Sequence, residues 1–124
     1  MARFNFVKIV VSDIEAMESF YVRTFGFEVQ NRIELPGLKE SMLAQKGGFT
    51  LVLFQHTDGR AIDNGNGWGP LGFIVRDVEA EHAAAIAAGA REVRPPYGTG
   101  AMKVSFVSDP EGHEIELLQL SAAA

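Results

Sequence analysis

Ser108-Asp109-Pro110-Glu111-Gly112-His113-Glu114-Ile115-Glu116-Leu117-Leu118-Gln119-Leu120 is the stretch that decides how the chain reads. It opens with turn chemistry: Asp109 caps, Pro110 fixes φ, and Gly112 accepts a positive φ. Alternation follows, with Ile115, Leu117 and Gln119 on one face of a strand and Glu114, Glu116, Leu118 and Leu120 on the other. A carboxylate on a strand that otherwise reads as core needs an explanation, because buried charges are rare without a partner. Glu116 must face water, a cavity, a cation or a metal.

Working outward, the strand closes the second of two similar units. Phe4 to Val11 reads as a strand, and Ser12-Asp13 caps a helix from about Ile14 to Thr24. Met17, Phe20, Tyr21 and Phe25 supply its apolar stripe, and Gly26 suits the helix end. Phe27 to Glu34, Glu40 to Gln45 and Phe49 to Gln55 read as strands, the last two joined by a Lys46-Gly47-Gly48 hairpin turn. The pattern then restarts with the strand Leu71 to Val75, the cap Asp77 and an alanine-rich helix from about Val78 to Ala88, closed by Gly89. Arg94-Pro95-Pro96-Tyr97-Gly98-Thr99-Gly100 reads as a loop, and Met102 to Val107 as a strand. The two capping aspartates lie 64 residues apart and the two helix-ending glycines 63.

The expectation is an α+β fold of two tandem βαβββ modules, forming a curved mixed sheet with a concave cup and helices on the convex face. Module one covers about 4–55, a linker loop 56–70 and module two about 71–120, within a single domain spanning 1–124. The linker has four glycines between Gln55 and Pro70 and no periodicity. The tail from Ser121 to Ala124 is expected to fray.

Composition narrows the function classes. Hydrophobic residues make up 47% and charged residues 22%, an ordinary globular balance. A net charge of −5 argues against nucleic acid and anionic membranes as partners, which need basic patches. The absence of cysteine excludes disulfides, thiolate metal sites and cysteine nucleophiles. The N-terminus does not read as a signal peptide, and no apolar run approaches a membrane span, so a cytoplasmic protein is expected.

Several stretches, in this order, resemble the vicinal oxygen chelate superfamily of glyoxalases, bleomycin-resistance proteins and extradiol dioxygenases. They are Val10-Val11-Ser12-Asp13-Ile14, Ser19-Phe20-Tyr21, Phe25-Gly26-Phe27-Glu28-Val29, Phe73-Ile74-Val75-Arg76-Asp77-Val78 and Asp109 to Leu117. The resemblance implies a divalent metal on the concave sheet, held by His and Glu from the first and last strands of each module. Those positions fall here at Phe6, Val52, Pro70 and Glu116. Only Glu116 can donate, and one carboxylate does not hold a transition metal. No metal or other cofactor is expected. The resemblance also implies a homodimer.

Alternation places Phe6, Lys8, Val52, Phe54, Ile74, Glu114 and Glu116 on the cup face. Glu116 is the candidate catalytic group, as a general base, and Lys8 is its candidate counter-charge; the plainer reading of that pair is a structural salt bridge. His56, at the end of a cup strand, is a candidate ligand contact as a hydrogen-bonding or acid/base group, although a solvated loop histidine is the plainer reading. His82 reads as solvated, His113 as a surface turn residue, and Arg32 and Glu34 as solvated strand residues. Trp68, between glycines, suits stacking on a planar ligand or anchoring the linker. Tyr97 and Met102 are rim candidates, and Met42 and Phe106 line or pack the sheet. No spacing matches a phosphate loop.

The functional expectation is a metal-independent protein that binds a small, largely apolar or planar organic ligand and sequesters a drug or toxin. The alternative is a lyase or isomerase of the glyoxalase type, metal-free, with Glu116 as base; a dioxygenase would be such by family label only. A third reading is an interaction domain that kept the fold without the chemistry.

Overall fold

The computed structural model describes residues 1–121; the last three alanines of the expected frayed tail lie outside the described residues. The chain divides into two compact units, Met1–Asn64 and Gly65–Ala124. The first holds β1 (Phe6–Val10), α1 (Ile14–Phe25), β2 (Glu28–Leu35), β3 (Leu38–Ala44) and β4 (Thr50–His56). The second holds β5 (Leu71–Ile74), α2 (Val78–Ala87), β6 (Arg91–Thr99), β7 (Met102–Ser108) and β8 (Glu114–Leu120). Each is a βαβββ module with its own four-stranded mixed sheet, ordered β1-β4-β3-β2 and β5-β8-β7-β6. The fold is α+β, as the repeat implies. The first and last strands of each module run parallel, and the remaining pairs are antiparallel.

The duplication extends to individual hydrogen bonds. Asp13 and Asp77 each accept from the backbone N–H three residues on, at 3.1 Å. The first free N–H of each helix donates to a glutamine of the module's last strand: Ile14 to Gln55 Oε1 and Val78 to Gln119 Oε1, both at 2.9 Å. These side chains satisfy donors that a helix start leaves without a backbone partner. Lys39 and Lys103 reach back to Glu15 and Glu79, each at 3.3 Å.

One face of each sheet is buried against its helix. In the first module Leu43, Leu51 and Leu53 meet Ile14, Met17, Phe20 and Tyr21, all buried. Phe20 and Phe27 pack edge-on against the Tyr21 ring, with centroids 5.1 and 6.0 Å away. In the second, Val107, Ile115 and Leu117 lie under Val78 and Ala85. Here the small alanine side chains let the helix cover the sheet with less bulk.

A polar slot interrupts each helix–sheet layer at matching positions. In the first module, buried Ser41 donates to Glu18 at 2.5 Å, and Arg32 forks onto the same carboxylate at 2.9 and 2.7 Å. These bonds, Arg32 first, hold the Glu18 carboxyl below its ordinary range despite partial burial. Arg32 is thus ion-paired, not simply solvated. In the second, His82 Nδ1 lies 2.9 Å from Ser105 Oγ, and Nε2 lies 2.8 Å from Glu92 Oε1. His82 is buried, which corrects its reading as solvated: the neighbouring Glu79 and Glu81 point its sequence context outward, but its helix face points to the sheet.

A second correction concerns residues 94–99. Read as a loop, they form the outer strand β6, which pairs only with β7. Its register is irregular on both sides of Arg94. An outer strand with bulges tolerates Pro95 and Pro96, whose missing N–H groups would break a central ladder. His113 is likewise no free surface residue: its Nδ1 lies 2.7 Å from Asp109 Oδ2, on a fully buried carboxylate that also accepts the His113 and Glu111 N–H groups at 2.9 Å. Among the described residues no helix is long and apolar enough to cross a membrane.

Candidate functional site

Cross-strand partners share a sheet face, so the pairing register defines what the face opposite α2 presents. One row runs Gly72, Glu116, Phe106, Arg94 across β5, β8, β7 and β6. The next runs Ile74, Leu118, Val104, Tyr97. Glu114, Ser108 and Arg91 form a third, and Leu120, Met102 and Thr99 a fourth. Five of the expected site residues, Glu116, Glu114, Ile74, Tyr97 and Met102, therefore share one surface. Its second and fourth rows carry open apolar side chains: Ile74 is 70% exposed, Met102 53% and Leu120 53%.

Glu116 is half-buried in the middle of this face. Among the described residues no basic group forms an ion pair with it. Its neighbour on β5 is Gly72, where an added Cβ would meet nothing within 4 Å. The carboxylate thus borders open space on one side and the Phe106 position on the other. Arg94, on the outer strand, lays its guanidinium over the Tyr97 ring, 3.6 Å from the centroid.

The face opposite α1 has a different character. Phe6, Lys8 and Val10 pair with Thr50, Val52 and Phe54. Lys8 Nζ lies 2.8 Å from Glu40 Oε2 and 5.2 Å from the centroid of the Phe54 ring. This answers the expected pairing of Lys8 with Glu116: Lys8 finds its carboxylate within its own sheet, diagonally across β4. Val52 is buried beside it. His56 packs edge-on against Phe54 with centroids 4.7 Å apart. Phe6 is 54% exposed at the strand's start. Trp68 lies between β4 and β5 in a stretch without helix or strand and is 87% exposed. Just beyond His56, Arg60 hydrogen-bonds Asp58 and pushes its carboxyl down to about 2.

The donor chemistry needed for a metal can be tested at the positions the resemblance names. The side chains of Phe6, Val52 and Pro70 carry no donor atom, and Glu116 supplies one carboxylate. Among the described residues no group of three or more His, Cys, Asp or Glu side chains is arranged so that it could hold a metal ion. The side chains at these four positions do not make up the superfamily's His and Glu ligand set.

The family model of the Glyoxalase/Bleomycin resistance protein/Dioxygenase superfamily matches residues 3–117. The chain belongs to this superfamily. Its fold is similar to that of a glyoxalase family protein from Bacillus cereus, at a TM-score of 0.86 with 18% identity, covering 98% of this chain and 96% of that one. It is also similar to glyoxalase I from Zea mays, at a TM-score of 0.84 with 21% identity, covering 98% of this chain but 46% of the other. In sequence it is 28% identical over 125 residues to a lactoylglutathione lyase of Arabidopsis thaliana. The chain spans 44% of the length of the curated relatives it matches.

For this glyoxalase-superfamily chain, sequence reasoning missed Glu40, Arg91 and Arg94. Glu40 alternates in phase with Met42 and was readable as cup-facing. Arg94 was hidden by the two prolines that follow it, which made a strand look like a loop.

Proposed function

We propose that the protein binds a small, planar, largely apolar organic molecule on the face of its second sheet opposite α2, and retains it without turnover, as a sequestering protein does. The observation that carries this reading is a pair of register rows holding the exposed apolar side chains Ile74, Tyr97, Met102 and Leu120, beside one half-buried, unpaired carboxylate. Contiguous exposed apolar surface marks an interaction site, and an apolar lining with a few placed polar groups is what a small organic ligand needs. Glu116 supplies orientation: it accepts a hydrogen bond from a donor on the ligand. Phe6, Lys8, Val52, Phe54 and His56 belong to the first sheet, and Trp68 to the stretch between β4 and β5, and they take a subordinate place in the reading.

A second reading, a lyase of the glyoxalase type, is favoured by the similarity to lactoylglutathione lyases and by the same free carboxylate, which could serve as a general base. One pair of measurements separates the two. Saturable binding of planar aromatic ligands, followed through the methyl signals of Leu118 and Leu120, is expected, with no change in the thioester absorbance of lactoylglutathione. Turnover of lactoylglutathione that disappears in Glu116→Gln would replace the binding reading with the enzymatic one. If no aromatic ligand shifts those methyls, the binding reading fails.

A further inference from the structure

The charges on the face opposite α2 are segregated. Two register rows, Arg94-Phe106-Glu116 and Arg91-Ser108-Glu114, each place an arginine on β6, a neutral residue on β7 and a glutamate on β8. We infer, resting on the binding reading above, that the ligand of this face is a small zwitterion. Its anionic group meets Arg94, its planar body lies over Phe106, and its protonated amine meets Glu116.

Three observations carry this. First, the opposing charges do not neutralise one another. β6 and β8 are separated by β7, so the paired Cα positions stand about 10 Å apart, two strand spacings of about 4.8 Å. Among the described residues neither Arg91 nor Arg94 forms an ion pair, and neither Glu114 nor Glu116 does. The first sheet shows the contrast: across the same two strand spacings, Lys8 on β1 and Glu40 on β3 are already in contact at 2.8 Å.

Second, Arg94 is held ready. Its guanidinium stacks on the Tyr97 ring at 3.6 Å. Stacking engages the faces of the guanidinium and leaves its in-plane N–H donors free for a bidentate carboxylate. Third, there is room at the other end. Gly72, level with Glu116 on β5, leaves open space where a side chain would stand. An ammonium can therefore approach Glu116 from the β5 side.

The same arrangement discriminates against singly charged ligands. A simple anion that fits Arg94 extends toward Glu116 and Glu114, and a simple cation that fits Glu116 extends toward Arg94 and Arg91. Only a molecule with both charges, on opposite sides of a planar body, satisfies both ends.

The test is an NMR titration of the full chain with four probes that share one ring: 4-(aminomethyl)benzoate, benzoate, benzylamine and benzyl alcohol. The zwitterion is expected to bind roughly tenfold or more tightly than either singly charged probe, the scale of one hydrogen bond to a charged group. Arg94→Gln should reduce its affinity to that of benzylamine, Glu116→Gln to that of benzoate, and Arg94→Lys should retain part of the preference. Both replaced side chains border solvent, and the amide spectrum reports that each variant is folded. If all four probes bind alike, or if Arg94→Gln leaves the zwitterion's advantage intact, the inference is overturned while the apolar binding face stands. If no probe perturbs Leu118, both fall together.

Discussion

Replacing Gly98 by alanine should damage the protein more than any other single methyl addition at a glycine. Gly98 sits at φ +110, in the left-handed half of conformational space, where it pairs with Lys103 across the β6–β7 hairpin. A Cβ there would stand 2.3 Å from the Met102 carbonyl oxygen and 3.2 Å from the Lys103 Cα. Both are backbone atoms, so no side-chain rotation relieves the contact. The positive φ costs an L-residue about 1–2 kcal/mol. Forcing extra bulk into a packed site costs about 1–3 kcal/mol more. Together these give about 2–5 kcal/mol, a large part of the roughly 5–15 kcal/mol that stabilises a domain. For a chain of this length the melting temperature should fall by about 10 °C or more.

Two control substitutions separate the terms. Gly47→Ala has the conformational penalty alone, because Gly47 lies at φ +76 with nothing within 4 Å of the added methyl; it should cost about 1 kcal/mol. Gly72→Ala has neither penalty and should be neutral or slightly stabilising through the unfolded chain. Urea unfolding followed by circular dichroism measures all three. Equal midpoints for Gly98→Ala and Gly47→Ala would refute the close approach of the two hairpin strands. Because the hairpin carries Arg94 and Tyr97, Gly98→Ala should also weaken ligand binding at the face it edges.

Other expectations follow from the paired modules. The Glu18 carboxyl, usually near 4.5, is held lower by Arg32, with Ser41 assisting. The folded state therefore binds fewer protons there than the unfolded chain, so this contribution is present above pH 4.5 and is lost as the pH falls through the depressed folded value. Glu18→Gln should flatten the acid limb of a stability–pH profile, and an unchanged limb would count against the Arg32 fork. His82→Leu strands the buried Ser105 hydroxyl and should cost about 1–3 kcal/mol, whereas His56→Leu should change urea stability by no more than about 0.5 kcal/mol. Gln55→Met and Gln119→Met each remove one helix-start hydrogen bond and should each cost about 1 kcal/mol. A much larger loss for one alone would show that the two bonds are not equivalent.

Much of the fold was legible because its signals are local. The Asp13 and Asp77 caps, the helical stripe of Met17, Phe20 and Tyr21, and the 64-residue repeat all lie in neighbouring positions or simple periods. The outer strand β6 was not legible. Pro95 and Pro96 forbid a central strand, and only its place at the sheet's edge makes them acceptable. Part of the candidate site was legible by alternation alone, which put Ile74, Glu114 and Glu116 on one face. Arg94 could join them only once β6 was known to be a strand.

The sequence by itself determined which chemistry is possible at each position. The side chains of Phe6, Val52 and Pro70 offer no metal donor in any fold, because residue identity alone decides that. It also marked the two-fold repeat, whose caps and periods act within a few residues. Tertiary structure alone decided which charges meet. Lys8 pairs with Glu40, His82 turns inward to Ser105 and Glu92, and Arg94 lines up with Phe106 and Glu116. Each of these depends on cross-strand register or on how a helix face meets its sheet, and a slip of one residue would send every side chain of a strand to the other face.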